Sequence, residues 1–180
     1  MTDEVDYSLL HVAKDMLSLM DSTVIIGGMA VAVYGHDRST QDLDLATALP
    51  KEDVMEKLAS YCEFLECKKG DVQDPLPWAI HGKKDGVEFQ ILPAQAIHVD
   101  VQHGVMVAQG SLYFVSLEDL IHSKCYAGGH QDLCDVAILV MIHGDFRQLA
   151  VQYAQECGCL KQLNQWLSDS RLLSRYTHET

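Results

Sequence analysis

Hydrophobic and polar positions alternate with two different periods along the chain, and together they predict a mixed α/β protein. Over residues 5–20 apolar side chains recur every three or four positions, which is typical of an amphipathic helix. Residues 24–26 form a short apolar run, and residues 41–45 alternate polar and apolar positions as strand residues do. The chain therefore begins with a helix and continues with two strands that frame a short helix over residues 29–34.

The rest of the chain continues this mixture. Pro50, with Glu52 and Asp53 after it, marks the start of a helix that we expect to reach residue 61. Further strands are predicted at 64–68, 78–81, 87–92, 105–108 and 112–115, and further helices at 117–126, 131–142 and, as a pair, within 146–176. We expect an α/β (α+β) fold with a mixed sheet flanked by helices. Its core would span residues 1–143, and a helical extension, residues 144–180, would pack on that core.

The segment between the first two predicted strands carries the strongest chemical signal. Gly27 and Gly28 directly follow the first strand, and paired glycines before a helix let backbone N–H groups approach a phosphate. Asp42 and Asp44 are two positions apart in the second strand, so their side chains would share one face. Neighbouring carboxylates repel each other unless a cation lies between them. Mg²⁺ or Mn²⁺ accepts oxygen ligands of this kind.

These residues carry a resemblance to a known family. Gly27-Gly28, thirteen residues and then Asp42-Leu43-Asp44 resembles the signature of the polymerase β-type nucleotidyltransferases. The finer pattern, Gly-Gly-x-Ala, Tyr-Gly-x-x-Arg-x-Thr and Asp-Leu-Asp-Leu, is similar to a small bacterial branch that includes the AbiEii-type abortive-infection proteins. The resemblance implies a polymerase β-like nucleotidyltransferase core. It also implies that the glycine pair holds a nucleoside triphosphate and that Asp42 and Asp44 bind catalytic metal.

A third carboxylate is less certain in this sequence than the first two. The family pattern would place it at position 90, where this chain has Gln90. Glu88 lies two residues earlier, on the same strand face, and is our first candidate for the third catalytic acid. Asp100, in the strand-like run at residues 98–101, is the second candidate. Glutamine brings no charge, so this departure bears on whether a second metal binds and on whether catalysis is complete.

A second set of residues extends the resemblance to about residue 142. Ser116 and the acids after it mark a helix start, and Lys124 follows in that helix. In AbiEii-type relatives the matching lysine faces the nucleotide pocket, and an aspartate at the position of Asp135 lies near it. The resemblance therefore assigns Lys124 and Asp135 to nucleotide binding. The alternative is that Asp132 and Asp135 only form ion pairs, with Lys124 or with Arg147.

Two residues of the loop before Asp42 complete the predicted nucleotide site. The guanidinium of Arg38 matches phosphate oxygens in geometry, although a helix cap or a pair with Asp37 would also explain it. Thr40 is assigned to the same site, and its alternative role is to hold the loop.

Composition limits the partners of this site. The formal net charge of −13 argues against binding to bulk DNA, which needs a basic surface. The six cysteines show neither Cys-x-x-Cys nor zinc-finger spacing, and no apolar run reaches the length of a membrane span. The acidic start of the chain has no signal-peptide pattern. We therefore expect a cytoplasmic protein with reduced thiols and no membrane partner.

The predicted function is a metal-dependent transfer of a nucleoside monophosphate from a nucleoside triphosphate to a hydroxyl group. The acceptor could be a small molecule, a protein or a tRNA, and the sequence does not choose among them. The alternative is a degenerate protein of the same fold that binds nucleotide or a partner, as an antitoxin does, without catalysis.

Overall fold

A computed structural model describes residues 3–70, 75–107 and 112–172. Its helices are α1 Asp3–Leu19, α2 Gly27–Val33, α3 Lys51–Leu58, α4 Leu117–Ala127, α5 His130–Ile142, α6 Arg147–Glu156 and α7 Leu160–Leu167. Its strands are β1 Thr23–Ile25, β2 Leu43–Thr47, β3 Phe64–Lys68, β4 Ala79–Lys84, β5 Val87–Pro93, β6 Val105–Met106 and β7 Tyr113–Phe114. The predicted α/β architecture, with a mixed sheet flanked by helices, is confirmed.

The described strands form one sheet in the order β3-β4-β5-β2-β1-β7-β6. β2 is central: it pairs with β1 antiparallel and with β5 in parallel. β4 and β5 form a hairpin whose two turn residues, Asp85 and Gly86, both have positive φ (50° and 81°). The backbone twist of such an Asp-Gly turn matches the right-handed twist of the two strands that it joins. This strand order places β2, which carries Asp44, beside β5, which carries Gln90.

The two faces of the sheet differ in polarity over β2, β3, β4 and β5. Leu43, Leu45, Phe89 and Ile91 point to one face and are almost completely buried. α1 contacts β1 and β5 and contributes buried apolar side chains such as Met16 to the same core. Each fully buried side chain of this kind contributes roughly 1.5–3 kcal/mol by removing apolar surface from water. On the opposite face, β3, β4 and β5 present polar side chains.

The C-terminal helices brace the helices that face the site. α6 packs on α4, and α7 packs on α5. Ala150 and Ala154 of α6 and Leu163 and Leu167 of α7 belong to the same buried apolar cluster as the sheet. The division at residue 143 stays a prediction, but the positions of α4 and α5 depend on this packing.

One local prediction was wrong. Residues 98–101 do not form a strand: His98 adopts left-handed backbone geometry (φ 59°), and Val101–His103 is a short 3₁₀ turn. The Asp100 carboxylate accepts a hydrogen bond from the backbone N–H of Gln102 (2.9 Å), a local bond that competes with strand pairing. The predicted turn at 109–111 and part of the predicted loop and last helix, at 71–74 and 173–176, lie outside the described residues.

Candidate functional site

At Gly27 the backbone that follows β1 lies directly against the carboxylate of Asp44. The β1–β2 ladder continues one step beyond Ile25, because the backbone N–H of Ile26 donates to the carbonyl of Asp44 (2.9 Å). Gly27 comes next, with φ +63°. A Cβ atom built on it would lie 2.0 Å from Asp44 Oδ2. Both the backbone angle and this close approach therefore require glycine at position 27.

Gly28 makes a second close contact, with the loop that precedes β2. A Cβ atom on Gly28 would lie 2.8 Å from both Cβ and Oγ1 of Thr40. The Thr40 hydroxyl in turn donates to the carbonyl of Asp42 (3.2 Å). Thr40 thus holds the loop against the glycine pair and fixes the backbone at Asp42. This is the loop-holding role that the sequence left open for it.

Asp42 and Asp44 form an electrostatically strained pair. The predicted strand over 41–45 begins later than expected, so Asp42 lies just before β2 and is exposed, whereas Asp44 lies within β2 and is partly buried. Burial raises the pKa of Asp44, and the negative charge of Asp42 raises it further, while Lys124 and Arg38 act in the opposite direction. Among the described residues no ion pair or hydrogen bond reaches the Asp44 carboxylate. A bound cation would relieve both the burial and the repulsion.

A cavity of about 580 Å³ opens directly in front of Asp44. Its polar lining includes Gly27, Asp44, Gln90, Lys124 and Asp132. Its apolar lining is formed by Ile26, Pro75, Leu76, Leu92, Ile97, Leu120, Tyr126 and Ala127. The size and the mixture of apolar walls with a few polar groups are those of a small-molecule site.

Behind this cavity, Asp135 joins the charged side chains of three segments. Its carboxylate is fully buried and forms an ion pair with Arg38. Lys124 Nζ lies 2.9 Å from Asp135 Oδ2 and 2.9 Å from Asp132 Oδ1, so it bridges the two acids of α5. Gln131 Nε2 donates to Asp135 Oδ1 (3.0 Å). Asp135 therefore faces its partners rather than the cavity, and it orients Lys124, which does line the cavity.

His36 is also part of this network. Its ring Nε2 lies 3.7 Å from Asp135 Oδ1, and the residue is buried (8% exposed). In the sequence His36 is next to a glycine turn at the start of the polar loop 36–40, where a histidine is more often a surface residue than a catalyst. Only folding of that loop onto α5 buries it. Asp132, in contrast, could be found from its i, i+3 spacing to Asp135.

The third predicted acid lies outside the cavity lining. In the β2–β5 register Asp44 is opposite Gln90, so a glutamine occupies the position beside Asp44 on the neighbouring strand. Glu88 is exposed and lies one strand row away, opposite Lys83 of β4. Asp100 lies in a different depression, beside His98, His103 and His122. The assignment of Glu88 as a catalytic acid stays a prediction.

Two carboxylates are a suitable but incomplete donor set for a divalent cation. The described residues contain no group of three or more His, Cys, Asp or Glu side chains placed to hold a metal ion. Mg²⁺ is usually bound by one or two carboxylates together with substrate phosphates and water rather than by a complete protein cage. The chemistry of Asp42 and Asp44 therefore fits a metal whose remaining ligands come from the substrate.

Comparison with solved structures identifies the fold. A protein from H. pylori assigned to the nucleotidyltransferases has a TM-score of 0.55 at 13% identity, with 97% of this chain and 88% of that chain covered. The chain has the nucleotidyltransferase fold. An antigenic nucleotidyltransferase-like protein from Paracoccidioides brasiliensis gives 0.54 at 18% identity (97% and 92% covered). A protein from Thermotoga maritima, also assigned to the nucleotidyltransferases, gives 0.50 at 12% identity (94% and 96% covered).

Sequence comparison adds nothing finer to this nucleotidyltransferase-fold assignment. No protein-family model matches the chain, and no curated protein sequence matches it. In the part of the chain that the structure describes, every helix is too short or too polar to cross a membrane. All six cysteines are free thiols.

Proposed function

We propose that this protein is a metal-dependent nucleotidyltransferase that moves a nucleoside monophosphate from a nucleoside triphosphate to a hydroxyl-bearing acceptor. One observation carries the proposal: the Asp44 carboxylate lies against Gly27 at the mouth of a cavity, with the charge of Asp42 close enough to raise its pKa. Two like charges beside an open cavity favour a cation. A glycine turn at the same place favours a phosphate.

In this proposal Asp42 and Asp44 would hold Mg²⁺ or Mn²⁺. When bound, the metal would offset the negative charge that develops as pyrophosphate leaves. Gly27 and Gly28 would place the triphosphate: Gly27 lines the cavity, and Gly28 lies next to it beneath Thr40. Lys124 lines the same cavity and would contact the phosphates. Each of these residues contributes position or charge, which is the main source of catalysis in phosphoryl transfer.

Arg38, Thr40 and Asp135 would support the nucleotide site through other residues. Asp135 holds Lys124 and Arg38 in place by ion pairs, and Thr40 packs on Gly28. Placement near the AbiEii-type branch, with its toxin–antitoxin association, is part of the proposal on the sequence resemblance that Lys124 and Asp135 carry. The acidic surface favours a cationic small molecule or a protein side chain as acceptor, and a tRNA end is a further candidate. A cytoplasmic location is part of the same proposal.

Calorimetry tests the nucleotide site directly. Each nucleoside triphosphate is titrated with and without Mg²⁺ or Mn²⁺ into the wild-type protein and into the double variant Asp42→Asn/Asp44→Asn. We expect metal-dependent binding that the double variant loses. Glu52→Gln/Asp53→Asn in α3 is a charge-matched control and should bind as the wild type does. Equal binding by both double variants would contradict the proposal.

A second candidate function, a nucleotide-binding protein without catalysis, is favoured by Gln90. An uncharged amide lies opposite Asp44, where a further carboxylate would be expected to assist a second metal. The discriminating measurement is pyrophosphate release with a panel of sugar, protein and tRNA acceptors. Metal-dependent binding without release across the panel favours the binder. Release that Asp42→Asn/Asp44→Asn abolishes favours the enzyme.

A further inference from the structure

A row of three side chains crosses the sheet from the candidate metal site to its open face. In the strand register Asp44 of β2 is opposite Gln90 of β5, and Gln90 is opposite His81 of β4. Register partners point to the same face of a sheet. Leu43, Phe89 and Gly82 form the neighbouring row, and the burial of all three on the other face is consistent with this alternation. His81 therefore shares its face with Asp44 and Gln90.

The distance between Asp44 and His81 leaves room for the reacting groups between them. Adjacent strands lie about 4.8 Å apart, so the backbones at Asp44 and His81 are about 10 Å apart. Gln90 lies between them and is neutral, so it adds no repulsion toward a phosphate group. A phosphorus atom held near Asp44 and an attacking hydroxyl beside it would fill the space above Gln90. The next group along the row is then His81, which is half-buried and lies one strand beyond Gln90, just outside the cavity lining.

His81 suits proton removal better than Glu88 does. Glu88 is exposed and lies opposite Lys83 in the strand register, facing a cation rather than the cavity. It also lies two residues before Gln90, so it is displaced by about 6–7 Å along the strand. Histidine is the side chain whose ordinary titration lies between pH 5 and 8, and a general base works best near the operating pH. Among the described residues of this sheet face, His81 is the histidine that shares a cross-strand row with Asp44 and Gln90.

The charged groups around His81 come from all three strands. They are Glu66 and Lys68 of β3, Lys83 of β4, and Glu88 of β5, and Glu66 is opposite His81 in the register. Lys68 Nζ lies 3.1 Å from Glu66 Oε2, so these two charges largely offset each other. Lys83 and Glu88 are register partners of opposite sign, so the two cations and the two anions around His81 are equal in number. The imidazole is therefore placed among balanced charges.

We infer that His81 is the general base for the acceptor in the proposed transfer, an assignment that rests on the proposed function. A nitrogen of the neutral imidazole accepts the proton of the acceptor hydroxyl. The hydroxyl oxygen forms the new bond to the α-phosphorus, and the bond from that phosphorus to the pyrophosphate oxygen breaks with its electron pair. The proton then passes from the imidazolium to water. Gln90 orients the hydroxyl by a hydrogen bond to its side-chain amide.

The test compares His81→Gln with the matched control His103→Gln, which removes an exposed histidine remote from the row. Pyrophosphate release is measured with Mg²⁺ and each nucleoside triphosphate across the acceptor panel, and nucleotide affinity is measured by calorimetry. We expect His81→Gln to lower kcat about 10²–10⁴-fold with affinity unchanged within about twofold. The pH profile of kcat should change in His81→Gln and should stay as in the wild type in His103→Gln. Added imidazole should restore part of the rate to His81→Gly.

The outcomes separate this inference from the proposed function. Wild-type turnover that His81→Gln leaves unchanged, in rate and in pH profile, would overturn the inference and leave the proposed function standing. Metal-dependent nucleotide binding by a wild-type protein that turns over no acceptor would overturn it as well. Absence of metal-dependent nucleotide binding in the wild type would instead contradict the proposed function itself.

Discussion

Asp44 and Asp135 are two carboxylates near the same cavity, and their surroundings are opposite. Asp135 is fully buried and is held by Arg38, Lys124 and Gln131. Asp44 has no ion pair among the described residues, and both burial and its acidic neighbour Asp42 raise its pKa. One carboxylate thus has its charge compensated within the protein, and the other does not. The comparison teaches that the compensated acid builds the site, whereas the uncompensated acid is available for an external cation.

This difference follows from the elements that carry the two residues. Asp135 is on α5, where Asp132 and Gln131 come from the same helix and Lys124 comes from the neighbouring α4. Asp44 is at the start of β2, beside a glycine turn that contributes no side chain. Removal of each charge should therefore have opposite effects on stability.

The largest expected effect is that of Asp135→Asn. The substitution leaves Arg38 and Lys124 beside a neutral amide, and a buried charge that loses its partner costs about 3–5 kcal/mol. Denaturant unfolding should show a fall of about that size in the free energy of unfolding. The matched control is Asp132→Asn on the same helix, whose side chain is 32% exposed and which should cost about 1 kcal/mol or less. Equal losses in the two variants would mean that Asp135 is not the centre of the network.

Gly27→Ala should be the next most costly change. The new Cβ would need a backbone with positive φ and would overlap Asp44 Oδ2, so strain and overpacking add to about 3 kcal/mol. Gly158→Ala is the control, because Gly158 also has positive φ (75°) but has nothing within 4 Å of a Cβ atom. It should cost about 1–2 kcal/mol, from backbone strain alone. The difference between the variants in unfolding measurements isolates the contact with Asp44.

Asp44→Asn should stabilise the metal-free protein at neutral pH. Because the pKa of Asp44 is raised on folding, the folded state holds this proton more tightly than the unfolded state, and stability falls as pH rises through the raised pKa. Removing the carboxyl group removes that penalty, so the gain should be full at pH values above the raised pKa and should vanish at pH values below the ordinary aspartate range. Thermal or denaturant unfolding at several pH values measures it.

The same variant separates the metal from the charge. Mg²⁺ at ten times its dissociation constant should stabilise the wild type by about 1.4 kcal/mol and should not stabilise Asp44→Asn. If Mg²⁺ does not stabilise the wild type, or stabilises Asp44→Asn equally, Asp44 is not available for an external cation.

Asp132→Asn should have the smallest effect and the one most specific to nucleotide binding. Lys124 would keep Asp135 but lose one of its two acidic partners, so its charge would be more available to phosphates in the cavity. This pair joins the buried Lys124 to the partly exposed Asp132, and a pair of that kind is worth about 1 kcal/mol, which corresponds to about fivefold tighter triphosphate binding. Calorimetry should show this gain for the triphosphate and a smaller one for the monophosphate. Weaker binding would show that Asp132 itself contacts the ligand.

Much of the fold could be predicted from local pattern. Residues 64–68 were predicted as a strand with the bounds that β3 has, and the Asp-Gly turn between β4 and β5 was found because left-handed turn residues are rare and distinctive. The strand-like run at 98–101 was wrong because four residues are too few for alternation to be decisive. There, Asp100 could satisfy the backbone locally and end strand pairing.

By itself, the sequence determined the order of helices and strands, the glycine pair and the spacing of its acids, since these depend on periods and on residue types that act over a few positions. Only the tertiary structure decided which carboxylates are compensated. It placed Arg38 and Lys124, 86 residues apart in the chain, on the single carboxylate of Asp135, and among the described residues it gave Asp44 no such partner. It also placed His81 in the row of Asp44, because strand order and register are set by packing between segments distant in sequence. Charge compensation depends on distance in space, and a local pattern carries no information about it.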